Sequence, residues 1–486
     1  MNKIYFLFVL LLTFVVSPSF SQPPSVEVRA VWLTTNYGLD WPRNRLSHEQ
    51  QKKELISILD NLKKWNFNTV LFQVRARGEV LYDSKIEPMS SLIVGNPGSK
   101  EKFDPLAFVI EECHQRGLEC HAWVVTYPLG GDKHVRSLGR SSVTKTNPNI
   151  VKKFGNEWYL DPGNPRTDDY LLSIVKEIVT NYDVDGIHFD YIRYPDNRGR
   201  FPDDDTFKKH GKGMKRDDWR RDNITRFVTK TYDWVKSEKP WVTVSSSPLG
   251  RYRALGRNGN GWTAYETVYQ DAGKWMQLGK HDALFPMMYY KEHLFYPFVD
   301  DWIENGNNRI LVPGLGPYQM IELGWSKQDI INQVDYVRKK PIHGQAYFRA
   351  DNLLSNTKEI MNSLSEYYQF PAKLPALTWL SDEKPTEAID LRAEKQDDGI
   401  FTLKWDEPKE SNGNRVTYNV YRSENEELDI NDGQNLIAVG LRDAHYEYIP
   451  EVNDKAYYYY VTVSDAYRNE SNICYPAFFF HSELEK

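Results

Sequence analysis

Residues 184–195 read VDGIHFDYIRYP, and their types and spacing are the clearest sign of chemistry in the chain. The apolar run that starts at Val184 predicts a buried strand, with Asp190 at its far end. A carboxylate beside two tyrosines and an arginine is costly to place there unless it works as an acid, a base or a nucleophile. We therefore expect Asp190 to be catalytic.

The neighbours of Asp190 can be assigned to faces, because side chains alternate along a strand. His188 and Asp190 share one face, and Ile187 and Phe189 share the other. The bulky apolar pair should face helices, which leaves His188 and Asp190 pointing inward. Two interpretations of His188 stay open, a substrate contact or a core histidine bonded to a neighbour. Asp185 begins the strand, so we expect a structural turn residue there.

The elements that must position these residues alternate between strand and helix eight times from residue 28 to about 368. The predicted strands are 28–36, 69–77, 118–127, 184–191, 242–248, 283–290, 310–315 and 344–349. This pattern predicts an α/β fold, a (β/α)8 TIM barrel, whose chemistry lies at the carboxyl ends of its strands. An open doubly wound sheet is the alternative, but no Gly-rich phosphate loop follows the first strand.

The loops after the second to fifth predicted strands are long, at 78–104, 128–168, 195–219 and 249–265. Long loops at one barrel face build a substrate cleft. Aromatic residues make up 14% of the chain, which fits either ordinary packing or stacking on sugar rings. The net charge is −6 with no basic stripe, so nucleic acid is not an expected partner.

Neither a metal nor a cofactor is expected. The spacing of Cys113, Cys120 and Cys474 matches no zinc site. The acidic run at 203–205 could hold calcium, but a solvated acidic run is the favoured interpretation.

Residues 1–21 have the pattern of a secretory signal peptide. Lys3 precedes the apolar run IYFLFVLLLTFVV, and Ser-Phe-Ser stands before Gln22. The run is too short to favour a membrane span, and no cysteine lies near it to suggest a lipid anchor. We expect a secreted or periplasmic mature chain without a transmembrane segment.

The last hundred residues have a different pattern. Prolines mark 369–386 as a linker, and short alternating strands over 387–486 predict a small all-β sandwich. The motifs TLKWDEP (402–408), YNVYRS (418–423) and YYYYVTVSDAYRNES (457–471) resemble a fibronectin type III module. No chemistry is expected in it.

The barrel segment, 22–368, resembles the bacterial glycosyl hydrolase-like 10 family. The likeness lies in EVRAVWLTT (27–35), NTVLFQVRARGEVLY (68–82), ECHAWV (119–124), VDGIHFDYIRYP and SSSPLG (245–250). It implies a glycosidase-like cleft and a cell-envelope glycan as substrate, with peptide-free peptidoglycan strands favoured. Ala76-Arg77-Gly78 departs from the family pattern, which has a proline there. The pattern D-G-x-H-x-D also resembles α-amylase-type barrels, while Ile192 stands where chitinase-type barrels carry their acid.

Glycoside hydrolysis usually needs a second carboxylate. Three acids lie at the ends of other predicted strands and could be this partner of Asp190. Glu292 is the first choice, followed by Asp351 and Glu79. An acetamido group of the substrate acting as nucleophile is a further route, which needs only one acid beside Asp190.

Polar and aromatic residues at the predicted strand ends form the candidate substrate-binding set. They are Asn36, Gln73, Arg75, Arg77, Trp123, His188, Arg193, Tyr194, Tyr289 and Tyr290. Arg75 and Arg77 share a predicted face, and arginine forks suit a carboxylate such as the lactyl group of muramic acid.

Two hypotheses of function remain. A secreted glycoside hydrolase acting on a poly- or oligosaccharide is favoured, and a carbohydrate-binding pseudoenzyme of the cell envelope is the alternative. The chain has no G-x-S-x-G motif, which disfavours an esterase.

Overall fold

The computed structural model describes residues 22–43, 46–93, 103–196, 199–256, 261–395, 400–408, 415–448 and 455–481. The predicted signal peptide, residues 1–21, lies outside the described residues. Within the described ranges, no helix combines the length and apolar character that a membrane crossing requires.

The strands follow the chain in this order: β1 (Val28–Leu33), β2 (Thr69–Ala76), β3 (Glu79–Val80), β4 (Glu119–Val125), β5 (Pro128–Gly131), β6 (Val151–Phe154), β7 (Glu157–Leu160), β8 (Gly186–Asp190), β9 (Thr243–Ser246), β10 (Ala283–Leu284), β11 (Ile310–Leu311), β12 (Gly314–Leu315), β13 (Gly344–Tyr347), β14 (Ile389–Lys395), β15 (Phe401–Asp406), β16 (Thr417–Ser423), β17 (Leu436–Leu441), β18 (His445–Tyr448), β19 (Lys455–Ser464) and β20 (Ala477–His481).

The helices are α1 (His48–Lys64), α2 (Pro105–Gln115), α3 (Asp132–Ser137), α4 (Val143–Thr146), α5 (Pro165–Asn181), α6 (Asp204–His210), α7 (Arg216–Glu238), α8 (Ala264–Thr267), α9 (Ala272–Gln277), α10 (Tyr296–Glu304), α11 (Gln319–Glu322), α12 (Lys327–Arg338), α13 (Ala350–Leu354) and α14 (Ile360–Tyr367). Several of these helices begin at residues that are typical of helix starts. Ser47 and Gln50 form a capping box on α1, and Asn164 caps α5, whose first residue is Pro165.

Parallel pairing closes the barrel that the sequence predicts. The strand order is β11-β10-β9-β8-β4-β2-β1-β13-β12. Since β11 and β12 are two halves of the segment 310–315, this order returns to its start and makes a ring. The predicted (β/α)8 fold class is confirmed.

Two strands are shorter than predicted, and proline is the reason. Pairing of the sixth predicted strand stops at Leu284, two residues before Pro286, and Pro313 divides the seventh into β11 and β12. Proline has no N–H to donate to a ladder. The backbone past Pro286 still bridges its neighbours at Met287, so the wall continues to the mouth.

Side chains of the barrel strands divide between two cores. On β1, Val28, Ala30 and Trp32 face an inner cluster, whereas Val31 and Leu33 join the layer between strands and helices. On β8, Ile187 and Phe189 lie in that outer layer, as predicted. The residues that carry chemistry are therefore presented to the inside of the barrel.

The C-terminal strands form two antiparallel sheets, β14-β15-β18 and β17-β16-β19-β20. Leu403 and Trp405 of the first sheet share a core with Val420 and Val461 of the second. This packing confirms the predicted all-β sandwich. Between Tyr367 and Ile389 the chain forms no helix or named strand.

The sandwich docks on the amino-terminal end of the barrel, away from the mouth. The Arg468 guanidinium pairs with Glu119, which begins β4, at 2.6 Å. Arg415 pairs at the same distance with Asp185, immediately before β8. Asp185 is thus an anchor between the two folds rather than only the turn residue that the sequence predicts.

Candidate active site

A cavity of about 600 Å³ opens at the carboxyl ends of the barrel strands. Trp32 and Trp123 lie in its inner part, and Asp190 is exposed to it by only 6% of its surface. The remaining lining residues come mainly from the strand ends and the long loops. The mouth of the barrel is therefore a deep, mixed polar and aromatic site with one buried carboxylate, which matches the predicted position of Asp190.

The Asp190 carboxylate is held by donors on both oxygens. The Trp123 indole N–H donates to Oδ2 at 3.2 Å, and the Tyr191 backbone N–H donates to Oδ1 at 2.7 Å. Burial raises the pKa of Asp190, and the charge of Arg193 with these hydrogen bonds and one from Ser247 offsets part of that rise. The net pKa lies above the usual aspartate value, so this carboxyl keeps its proton to higher pH than an exposed one.

His188 lies one layer below the cavity and does not line it. Burial lowers the pKa of His188 well below its usual value, so the imidazole is neutral. Its Nε2 accepts from the Trp32 indole at 3.1 Å, which leaves the proton on Nδ1, 2.9 Å from the Ser245 hydroxyl. Of the two interpretations, the geometry matches the core histidine, and His188 positions Trp32 against the cavity.

Several buried polar atoms of the cavity wall have no hydrogen-bond partner within the described part of the chain. They are Asn36 Oδ1, Arg77 Nε, Arg193 Nη1 and Gln319 Oε1. Buried polar groups normally find a partner, so such atoms mark places where a ligand completes the bonding. A sugar, whose hydroxyls both donate and accept, fits all four.

Gln73 shapes the same wall from β2. Its side-chain oxygen accepts from the backbone N–H of Thr35 at 3.0 Å and of Asn36 at 2.8 Å. The loop that carries Asn36 and Tyr37 is thereby fixed to the barrel.

Aromatic rings form the exposed part of the wall. Tyr37 is 73% exposed, Tyr191 44% and Trp262 39%, high values for large rings in a folded chain. Arg193 lies over the rings of Tyr191 and Trp262, at 4.5 and 5.5 Å from their centroids. Tyr289, Tyr290 and Tyr318 line the cavity further along. Exposed flat rings beside polar groups are suited to stacking on sugar faces.

Three non-glycine residues of the wall have left-handed backbone. They are Tyr37 with φ 57°, Arg77 with φ 55° and Tyr191 with φ 50°. Such conformations cost about 1–3 kcal/mol each and concentrate at functional sites. Arg77 stacks on Tyr37 at 3.6 Å, and Gly130 leaves room for it, since a Cβ there would lie 3.1 Å from Arg77 Cδ.

Two residues of the predicted substrate-binding set are occupied elsewhere. Arg75 is fully buried, forms a bidentate pair with Glu87 and donates to two backbone carbonyls. Tyr194 is fully buried and accepts from Asn223 at 3.0 Å. Neither lines the cavity, so the expected Arg75–Arg77 fork is not formed.

The predicted carboxylate partners of Asp190 also lie outside the cavity. Glu292 is exposed and begins a short 3-10 helix. Asp351 pairs with Arg43 and Arg349 at the rim. Glu79 accepts from the Ser91 backbone and lies 3.7 Å from His134.

Glu157 is the carboxylate that sequence reasoning missed. It begins β7, in a small three-stranded sheet inserted after β4, and it lines the cavity with Asp190. A signal for this sheet was present, because Gly155-Asn156 between two short alternating runs predicts a tight hairpin.

The acidic run at 203–205 is neutralised by the protein's own cations. Asp203 pairs with Arg216 and Arg220, Asp204 with Arg200 and Asp205 with Lys152. Across the described ranges, no group of three or more His, Cys, Asp or Glu side chains is placed to hold a metal ion.

Comparison with known proteins shows which family the chain resembles. The chain is 30% identical to glycosyl hydrolase YngK of Bacillus subtilis (strain 168), in an alignment that covers 94% of this chain and 95% of that protein. It is 34% identical to glycosyl hydrolase DigH of Escherichia coli (strain K12), in an alignment that covers 56% of this chain and 68% of that protein.

Among solved structures, the PgaB (BpsB) glycoside hydrolase domain from Bordetella bronchiseptica superposes with a TM-score of 0.48 at 15% identity. The alignment covers 71% of this chain and 99% of that one. The profile of the glycosyl hydrolase-like 10 family matches residues 27–301, the region that contains Asp190 and Glu157. The chain therefore belongs to the glycosyl hydrolase-like 10 family.

Proposed function

We propose that this protein is a glycoside hydrolase that cuts O-glycosidic bonds of a cell-envelope or extracellular polysaccharide. The observation that carries the proposal is Asp190, a buried carboxyl with a raised pKa at the bottom of a sugar-sized cleft. A carboxyl whose pKa is raised keeps its proton to higher pH and can give that proton to the leaving oxygen as the bond breaks. Both curated relatives are named glycosyl hydrolases.

The favoured substrate is peptide-free peptidoglycan, for four reasons. The family resemblance implies a cell-envelope glycan, and the predicted signal peptide would deliver the mature chain outside the cytoplasm. The cavity also offers Arg77, whose Nε has no hydrogen-bond partner among the described residues, for a carboxylate-bearing sugar. Its aromatic wall suits a polymer whose sugar rings stack in sequence.

The test is mass spectrometry of products after the purified full-length mature chain is incubated with peptide-stripped peptidoglycan strands. Asp190→Asn, run in parallel, keeps the shape of the site but has no proton to give. We expect reducing-end fragments from the wild type and a loss of rate of at least about 100-fold in the variant.

The alternative hypothesis, a carbohydrate-binding pseudoenzyme, makes the opposite prediction for the wild type. Glycan binding without fragments from any tested polymer would support it and overturn the hydrolase. Full cleavage by Asp190→Asn would remove Asp190 from the mechanism.

A further inference from the structure

Glu157 shares the cavity with Asp190 but stands in a different environment. Asp190 is buried at the end of a barrel strand, whereas Glu157 is exposed on the inserted sheet. Among the described residues that line the cavity, these two are the carboxylates. Glycosidases with two carboxylates divide the work between them, and the environment of each decides its part.

The inserted sheet holds Glu157 firmly in place. β7 pairs with β5 and β6, and the Trp158 indole donates at 2.8 Å to Asp132, the first residue of α3. The Tyr159 hydroxyl donates to Glu157 Oε2 at 2.6 Å, and Tyr159 itself is 94% buried. An exposed glutamate on a free loop would lose its geometry, but this one has a fixed backbone and a fixed hydrogen bond.

Tyr191 lines the cavity together with both carboxylates. Burial raises the pKa of the Tyr191 hydroxyl, and the charges of Asp190 and Glu157 raise it further. A sugar seated against the Tyr191 ring would therefore share the cavity with both carboxylates.

We propose that Glu157 is the second catalytic carboxylate and acts as the general base. This inference rests on the proposed glycosidase function. Asp190 donates its proton to the glycosidic oxygen while the bond from that oxygen to the anomeric carbon breaks. A water molecule, which reaches the exposed Glu157, bonds to the anomeric carbon as its proton passes to Glu157. Glu157 then releases its proton to solvent and Asp190 takes one up from solvent, so that both groups regain their starting states and the net reaction consumes one water.

The experiment uses the full-length chain with peptide-stripped glycan strands and compares Glu157→Gln, Glu157→Ala and Asp190→Asn. Glu157→Gln keeps the size of the side chain but cannot accept a proton, so kcat is expected to fall about 100-fold or more with little change in KM. The matched control is Glu322→Gln, an exposed glutamate on α11 outside the cavity, which should retain the wild-type rate.

Chemical rescue separates a base from a structural residue. Azide bonds to the anomeric carbon without losing a proton, so it needs no base. Azide is expected to restore turnover in Glu157→Ala and to give a glycosyl azide of inverted configuration, while Asp190→Asn is not restored.

The outcomes distinguish this inference from the function on which it rests. A wild-type rate in Glu157→Gln, or a slow Glu157→Ala that azide leaves unchanged, would overturn the base role while cleavage by the wild type keeps the hydrolase. No cleavage by the wild type on any tested glycan would overturn both.

Discussion

At the scale of single residues, the site depends on how one carboxyl is buried. Asp190 is largely buried and reaches the cavity with only a small part of its surface, yet it receives compensating hydrogen bonds from an indole and from backbone. Its pKa is raised only because burial outweighs these bonds and the charge of Arg193. Each of those donors therefore tunes the pH range in which the carboxyl carries a proton.

Trp123→Phe is expected to shift the alkaline limb of the kcat/KM profile to higher pH. The lost indole N–H stabilised the charged carboxylate, so its removal raises the pKa of Asp190 further. An acid that must be protonated then stays active to higher pH. The measurement is the pH profile of kcat/KM for Trp123→Phe and for the control Trp262→Phe. Trp262 lines the cavity but has no hydrogen bond to Asp190 in the described structure, so the alkaline limb of the control profile should stay at the wild-type pH. A shift of the Trp123→Phe limb to lower pH would contradict this role of Asp190.

At the scale of elements, the sequence predicted the barrel because hydrophobic periodicity is repeated in every unit. The sequence could not predict where the alternation of side chains between the two faces of a strand is interrupted. The pairing of β2 with β4 shifts register between Gln73 and Arg75, so Gln73 reaches the cavity and Arg75 does not. Arg77 follows the last residue of β2, has a left-handed backbone conformation and lines the cavity wall. Such local irregularities leave no mark in a pattern of residue types.

Asp190 could be predicted because it ends a regular strand, along which the two faces can be counted. Glu157 could not be predicted from the ends of the barrel strands, because this carboxylate lies on an insertion. Its hairpin is visible in the sequence, but the direction in which the inserted sheet folds over the mouth depends on tertiary contacts such as Trp158 with Asp132.

Glu87→Ala is expected to lower the free energy of unfolding by about 3–5 kcal/mol, because it leaves the buried Arg75 guanidinium without its partner. Both side chains are fully buried, and the Tyr170 hydroxyl of α5 also donates to Glu87 at 2.7 Å. Urea unfolding measures the change, with Glu111→Ala on the exposed face of α2 as the control expected to stay near the wild type. A loss in Glu87→Ala as small as in the control would show that Arg75 finds other partners.

At the scale of the whole molecule, partly buried ion pairs join the barrel to the sandwich. Burial alone would raise the pKa of Asp185, but Arg415 and His114 outweigh it and hold the pKa below its usual value. Glu119 is lowered in the same way by Arg468 and His121. These carboxylates therefore stabilise the docked arrangement only while they are charged.

The docked arrangement is expected to weaken in acid. Since the folded pKa values of Asp185 and Glu119 lie below the unfolded values of about 3.9 and 4.3, the stabilisation is complete above that range and is lost as pH falls through the folded values. The loss of stabilisation is measured as the free energy of unfolding at pH values between about 5 and 3. Arg468→Met should be less stable at pH 6 and should depend less steeply on acid, with cleavage unchanged because the mouth is at the other end of the barrel. An equally steep dependence would contradict the role of these pairs.

The docking of the sandwich also has a consequence for how the protein is made. The ribosome delivers the barrel strands first, and Asp185 and Glu119 emerge at its base long before Arg415 and Arg468 exist. Until then the two carboxylates have their histidine neighbours, His114 and His121, but lack their arginine partners on the surface that the sandwich will cover. The last quarter of the chain thus completes the first part electrostatically, and a barrel synthesised alone would be a different, less stable protein.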